Sequence, residues 1–183
     1  MKRTLALIFG LTVIVLLAGV TVTLTRLHHN PPAPIPGGDG DYAITGPTPH
    51  GAGPAVAAQQ ALTGMFSWQP AHDESAGAGL ARAKPWLSGQ LAASADMPAA
   101  TGIRPLAEWA QWRQDGDVVT ATATTTAISA PAAGRCLLKV ALTQTVLHRD
   151  GTSSRWRVMD IDASTTDSPD GWRLDGFTVT DSH

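Results

Sequence analysis

The sequence predicts an α+β protein: an N-terminal transmembrane helix, then about three helices packed on a curved antiparallel sheet of three to four strands. Three observations predict it. A long charge-free apolar run stands near the start. Alanine-rich stretches broken by proline and glycine follow. The second half is dominated by β-branched runs that end in turn residues.

The apolar run is "TLALIFGLTVIVLLAGVTVTLT", Thr4 to Thr25, behind Lys2 and Arg3. Its 22 residues span roughly 33 Å as a helix, against a bilayer core of about 30 Å. A cleaved signal peptide has a shorter apolar core and a small-x-small cleavage site. Val20, Val22 and Thr23 suit cleavage poorly, and the cysteine that a lipoprotein signal needs after "LLAG" is Val20. The reading is an uncleaved anchor over residues 1–26. Lys2, Arg3 and the amino terminus outweigh Arg26, so the positive-inside bias puts the N-terminus in the cytoplasm and the rest outside the cell membrane.

Residues 27–54 are rich in proline and glycine and lack apolar periodicity, which makes them a tether. His28, His29 and His50 fall here, and neighbouring histidines in a flexible segment give a metal no fixed geometry. The folded domain is expected over residues 55–183. "AVAAQQALTGMFSW" has helical spacing and good helix formers from Ala55 to Ser67, and Gln69 and Pro70 end it. Next come His72, Asp73 and Glu74, which read either as an acid/base cluster or as the boundary of a second helix in "ESAGAGLARAK". Asp73 suits an N-cap and Glu74 a first turn, while Arg82 and Lys84 suit the far end, so the boundary reading is preferred. Pro85 then opens a third short helix, "PWLSGQLAAS". "LAEWAQWRQDG", Leu106 to Gly116, is ambiguous between helix and lead-in to a strand.

From Asp117 the pattern is β. Strands are expected over Asp117–Ser129, Arg135–Gly151, Ser153–Ser164 and within Ser168–Asp181, with Asp150-Gly151 as a hairpin signal. About 130 residues after the tether suffice to bury a core without disulfides. Cys136 is the sole cysteine, in an apolar strand. It reads as a small buried hydrophobe, with an intermolecular disulfide as the alternative. All six tryptophans are core by default, and Trp86, Trp109 and Trp112 are the ones allowed at an interface.

The phrases "FSWQPAHDESAGAGLARAKPWLSGQLA", "EWAQWRQDGDVVTATAT", "DGTSSRWRVMDIDAS" and "DGWRLDGFTV" carry a resemblance over most of Ala55 to Val179. The chain resembles bacterial, in particular actinobacterial, single-pass membrane proteins with a cystatin-like or nuclear-transport-factor-like domain. These include the scaffold subunit of type IV secretion and conjugation machines, its Gram-positive counterparts, and membrane proteins associated with mammalian-cell-entry lipid import. The resemblance implies a cone in which the sheet wraps around the helices. It also implies a non-catalytic role as an assembly or accessory subunit, with other membrane subunits as partners and no cofactor.

Composition agrees in part: 13 Lys and Arg stand against 15 Asp and Glu, with no basic excess for nucleic acid and no long acidic tail. Some cone-shaped relatives are enzymes, so a catalytic site is the alternative. An isomerase-like pocket wants a buried carboxylate and a tyrosine donor, but the one tyrosine, Tyr42, lies in the tether. Asp160 and Asp162 share a strand face, which suits either acid/base or cation chemistry or a solvated surface. His148 and Asp150 flank a turn. Ser67, Ser75 and Ser88 stand in no activating motif, and HExxH, zinc spacings, a phosphate loop and GxSxG are missing. The expectation is therefore a domain without catalytic or metal residues.

Overall fold

The structure, a computed structural model, describes residues 46–97 and 106–183. The expected anchor Thr4–Thr25, most of the tether with Tyr42, His28 and His29, and residues 98–105 lie outside the described residues. Among the described residues no helix is long and apolar enough to cross a membrane.

The fold is α+β, with helices leading and a four-stranded antiparallel sheet following. Helix α1 (Pro54–Phe66) opens on proline, whose fixed φ suits the first turn. Helix α2 (Ala78–Ala83) runs into a 3-10 turn (Lys84–Trp86), then α3 (Gly89–Ala95) and α4 (Trp109–Asp115). The ambiguous Leu106–Gly116 segment thus holds a helix, which makes four α-helices among the described residues where about three were expected. Trp109 and Trp112, three apart, share its buried face.

Strands β1 (Val118–Ile128), β2 (Arg135–Leu147), β3 (Ser153–Thr166) and β4 (Arg173–Ser182) form a meander in chain order. Alternation decides the two faces. Cys136, Leu138, Val140, Leu142, Gln144 and Val146 of β2, and Met159, Ile161, Ala163 and Thr165 of β3, are buried. Ala58, Ala61 and Leu62 of α1 close over them, with Leu174 of β4 and Leu87. Leu62, Leu142 and Leu174 are fully buried, and each such side chain stabilises the fold by about 1.5–3 kcal/mol. A second core holds Trp68, Trp109 and Trp112 with Val119 and Val146, and Trp156 packs against it. The β2–β3 register skips Trp156 between Gln144 and Thr145. That extra residue puts both Trp156 and Met159 toward the helices, an odd separation that strict alternation forbids.

The domain begins before α1. Gly51 N–H donates to Asp170 O at 2.8 Å, Trp172 N–H donates to Ala52 O at 2.9 Å, and Arg173 donates to Pro49 O at 2.9 Å. Residues 49–52, read as tether in the sequence, therefore pack on the turn ahead of β4.

The β1–β2 hairpin closes on Ala133 and Gly134, with φ of +50° and +72° and Ala132 bridged to Arg135. Both turn positions are left-handed, the pattern of a type I′ turn, for which alanine is poorly suited. Ala133→Asn is expected to raise stability by about 1 kcal/mol, read as a higher melting temperature. A neutral or negative shift would show that the turn is not strained.

Candidate functional site

His72, Asp73 and Glu74 do not assemble as an acid/base cluster, and Asp73 is not a helix cap either. Helix α2 starts five residues later, behind Gly77, with no side-chain cap. Asp73 instead closes a turn. Its Oδ2 accepts the Gln69 N–H at 2.7 Å, and Arg82 returns from α2 to donate at 2.6 Å and 3.0 Å. Arg82 also donates to Ser67 O, and Arg113 of α4 donates to Pro70 O and Asp73 O. The buried carboxylate thereby ties the turn after α1 to α2, and the backbone carbonyls of the same turn tie it to α4. Burial pushes its pKa up, but the Arg82 and Gln69 hydrogen bonds and the charges of Arg82 and His72 outweigh that and hold it below the usual carboxylate value. His72 and Glu74 are exposed.

Asp160 and Asp162 lie on the outer sheet face. Asp162 pairs with Lys139 at 2.7 Å and Asp160 is exposed, so the structure makes this a solvated face rather than an enclosed carboxylate pair. Nearby, Ile128 and Leu137 stand 51% and 63% exposed. They line a groove of about 380 Å³ together with Ala127, Leu138 and Ala163. Trp109 and Trp112, two of the tryptophans considered for an interface, are 5% and 6% exposed, while Trp86 is half-buried against the main core. Cys136 is buried and its thiol donates to Ser129 O at 3.2 Å, which shields it from an intermolecular disulfide. Among the described residues, no three His, Cys, Asp or Glu side chains converge as a metal site.

The chemistry-bearing arrangement that the sequence reading did not anticipate is at the other end of the sheet. His148 Nδ1 lies 3.0 Å from Asp117 Oδ2, and its Nε2 lies 2.9 Å from Ser154 Oγ. Asp117 is buried and Ser154 exposed. Gly116, left-handed at φ +74°, ends α4 and delivers Asp117 to the start of β1. His148 follows the last residue of β2, and its backbone N–H donates to Thr152 O at 2.9 Å. Ser154 is the second residue of β3, paired with Val146. A carboxylate only accepts, so the Asp117 contact places a proton on Nδ1, and in the neutral ring Nε2 is then the acceptor that faces the Ser154 hydroxyl. Asp150 plays no part: it accepts from Thr152 within the turn, which holds its carboxyl below the usual range.

No family model and no curated protein matches the chain. Among solved structures, the intermembrane space region of the chloroplast protein ARC6 is similar at a TM-score of 0.30 and 15% identity, over 51% of this chain and 71% of that one. A likeness of that size leaves the functional argument to the residues of this chain. What they define is an α+β domain with two apolar core clusters, an open groove lined by Ile128 and Leu137, and one Ser-His-Asp chain at a sheet end.

Proposed function

We propose that this is a single-pass membrane protein that presents its α+β domain outside the cell membrane. There it serves as an assembly or accessory subunit of a conjugation, type IV secretion-like, transfer complex. The observation that carries the reading is order: the charge-free Thr4–Thr25 run, the Pro/Gly-rich stretch, then a compact domain. Such an order tethers a domain to a bilayer, which suits a subunit that bridges the membrane to a larger machine. The helices-on-one-face layout is compatible with the cystatin-like or nuclear-transport-factor-like cone of the proteins that the sequence resembles. The disposition of apolar groups supports contact over enclosure. Tryptophans and leucines fill the space between helices and sheet, and the Ile128–Leu137 groove opens outward.

Co-purification of the full chain in mild detergent tests this. Recovery with a secretion ATPase and channel subunits is the expected result. Recovery with lipid-import permease components would move the assignment to a lipid-import accessory protein. A solitary soluble monomer, or cytoplasmic activity of a reporter fused after His183, would overturn the anchored reading.

A further inference from the structure

The geometry points to an activity beyond assembly: we propose that Ser154 is an acyl-accepting nucleophile, with His148 as its general base and Asp117 as the residue that orients His148. Nucleophilic catalysis by a hydroxyl needs a base within hydrogen-bond reach, and a third group to fix that base's tautomer and aim. Both links are present, at 2.9 Å and 3.0 Å. Each partner is held independently of the others. The Asp117 N–H donates to Trp112 O at 2.9 Å, and the carboxylate is buried beside the tryptophan core. The backbone of His148 is fixed on both sides of the turn, through Thr152 O and the Gly151 N–H. Ser154 sits on a paired strand and faces solvent, where an ester can reach it.

The step balances without an external oxidant or metal. The Ser154 hydroxyl gives its proton to His148 Nε2 as Oγ bonds to the acyl carbon. The leaving alcohol departs with that proton, and water, activated by the same imidazole, releases the acid. Because the site is open, an ester with a good leaving group, which needs least help at its oxyanion, is the substrate class that fits. This activity stands apart from the assembly role. It amends the expectation of a non-catalytic domain.

A clasp that merely ties the hairpin to β1 makes a different forecast from a nucleophile, and the full chain can tell them apart. The probes are a fluorophosphonate, which loses fluoride as Oγ bonds to phosphorus, and 4-nitrophenyl acetate. Peptide mass spectrometry is expected to place the phosphonate on Ser154. Labelling and acetate hydrolysis are expected to vanish in Ser154→Ala and to fall roughly 100-fold in His148→Gln. His148→Gln keeps hydrogen-bonding groups but supplies no base. Ser153→Ala, one residue away, should retain both signals, and melting curves of all three variants should stay near that of the parent. An unlabelled parent chain overturns the proposal, as does labelling that survives Ser154→Ala or is unchanged in His148→Gln.

Discussion

Gly79→Ala is expected to destabilise the domain by roughly 3 kcal/mol, lowering its melting temperature by about 10 °C. Helix α2 crosses the last turn of α1 where Gly64 and Gly79 bring the backbones together. A Cβ on Gly79 would stand 2.2 Å from Met65 O and 2.9 Å from Met65 C. Those are backbone atoms of a neighbouring helix, so no rotamer change relieves the clash and α2 must move as a body. That movement is resisted. Ala83 on the same helix packs at 3.4 Å from the corresponding position on Gly64, and Arg82 is tied to Asp73. Gly64→Ala, whose nearest neighbour is a methyl at ordinary contact distance, should cost far less. Equal melting temperatures for the two variants would mean that the helices are not seated this closely.

The larger elements were legible because their signals are local. The β-branched runs, the Asp150-Gly151 turn and the Ala-rich Ala55–Ser67 stretch each carry their own pattern, and the strands and α1 fall within a few residues of where those patterns end. Trp156 shows where local reading stops. Strict alternation puts Trp156 and Val158 on one face, but the skipped residue in the β2–β3 register changes the parity, and Met159 and Ile161 take the inward positions. Nothing in the strand's own composition marks that bulge. The second helix begins at Ala78, four residues after Glu74, for a similar reason. Asp73 has the chemistry of a cap, but Arg82, nine residues on, claims its carboxylate.

The Asp117–His148–Ser154 chain was hidden because it is a product of register. Val118 pairs with Leu147, which places Asp117 opposite His148 one step beyond the strand ends. Val146 pairs with Ser154, which brings the hydroxyl back beside the same imidazole across the hairpin. Each residue alone reads as a boundary or turn residue. Only the two pairings together, set by turn geometry and by which face is apolar, make them neighbours. Asp160 and Asp162 are the reverse case. Period two put them on one face from sequence alone, and Lys139 opposite Asp162 satisfies one of them at an open cleft that Thr126 and Thr180 also line.

Asp73→Ala is expected to cost about 2–3 kcal/mol, more than the ~1 kcal/mol of a lost helix cap. The carboxylate is 9% exposed and satisfies the Gln69 N–H and two guanidinium hydrogens. Removing it strands a buried amide and leaves a cation without its partner. The loss stays below that of a fully buried ion pair because Arg82 is about half exposed and can regain water. The pH dependence has a definite sign. The folded pKa is depressed, so the stabilisation is fully present above the unfolded value of about 3.9 and is lost as pH falls through the folded value. The stability gap between the parent chain and Asp73→Asn should therefore be constant from neutral pH down to about pH 5 and shrink below about pH 4. His72→Ala, which removes an exposed ring with only a minor charge effect on Asp73, should barely move the melt. A gap that persists undiminished to low pH would show that the shape of Asp73, and not its charge, ties the turn after α1 to α2.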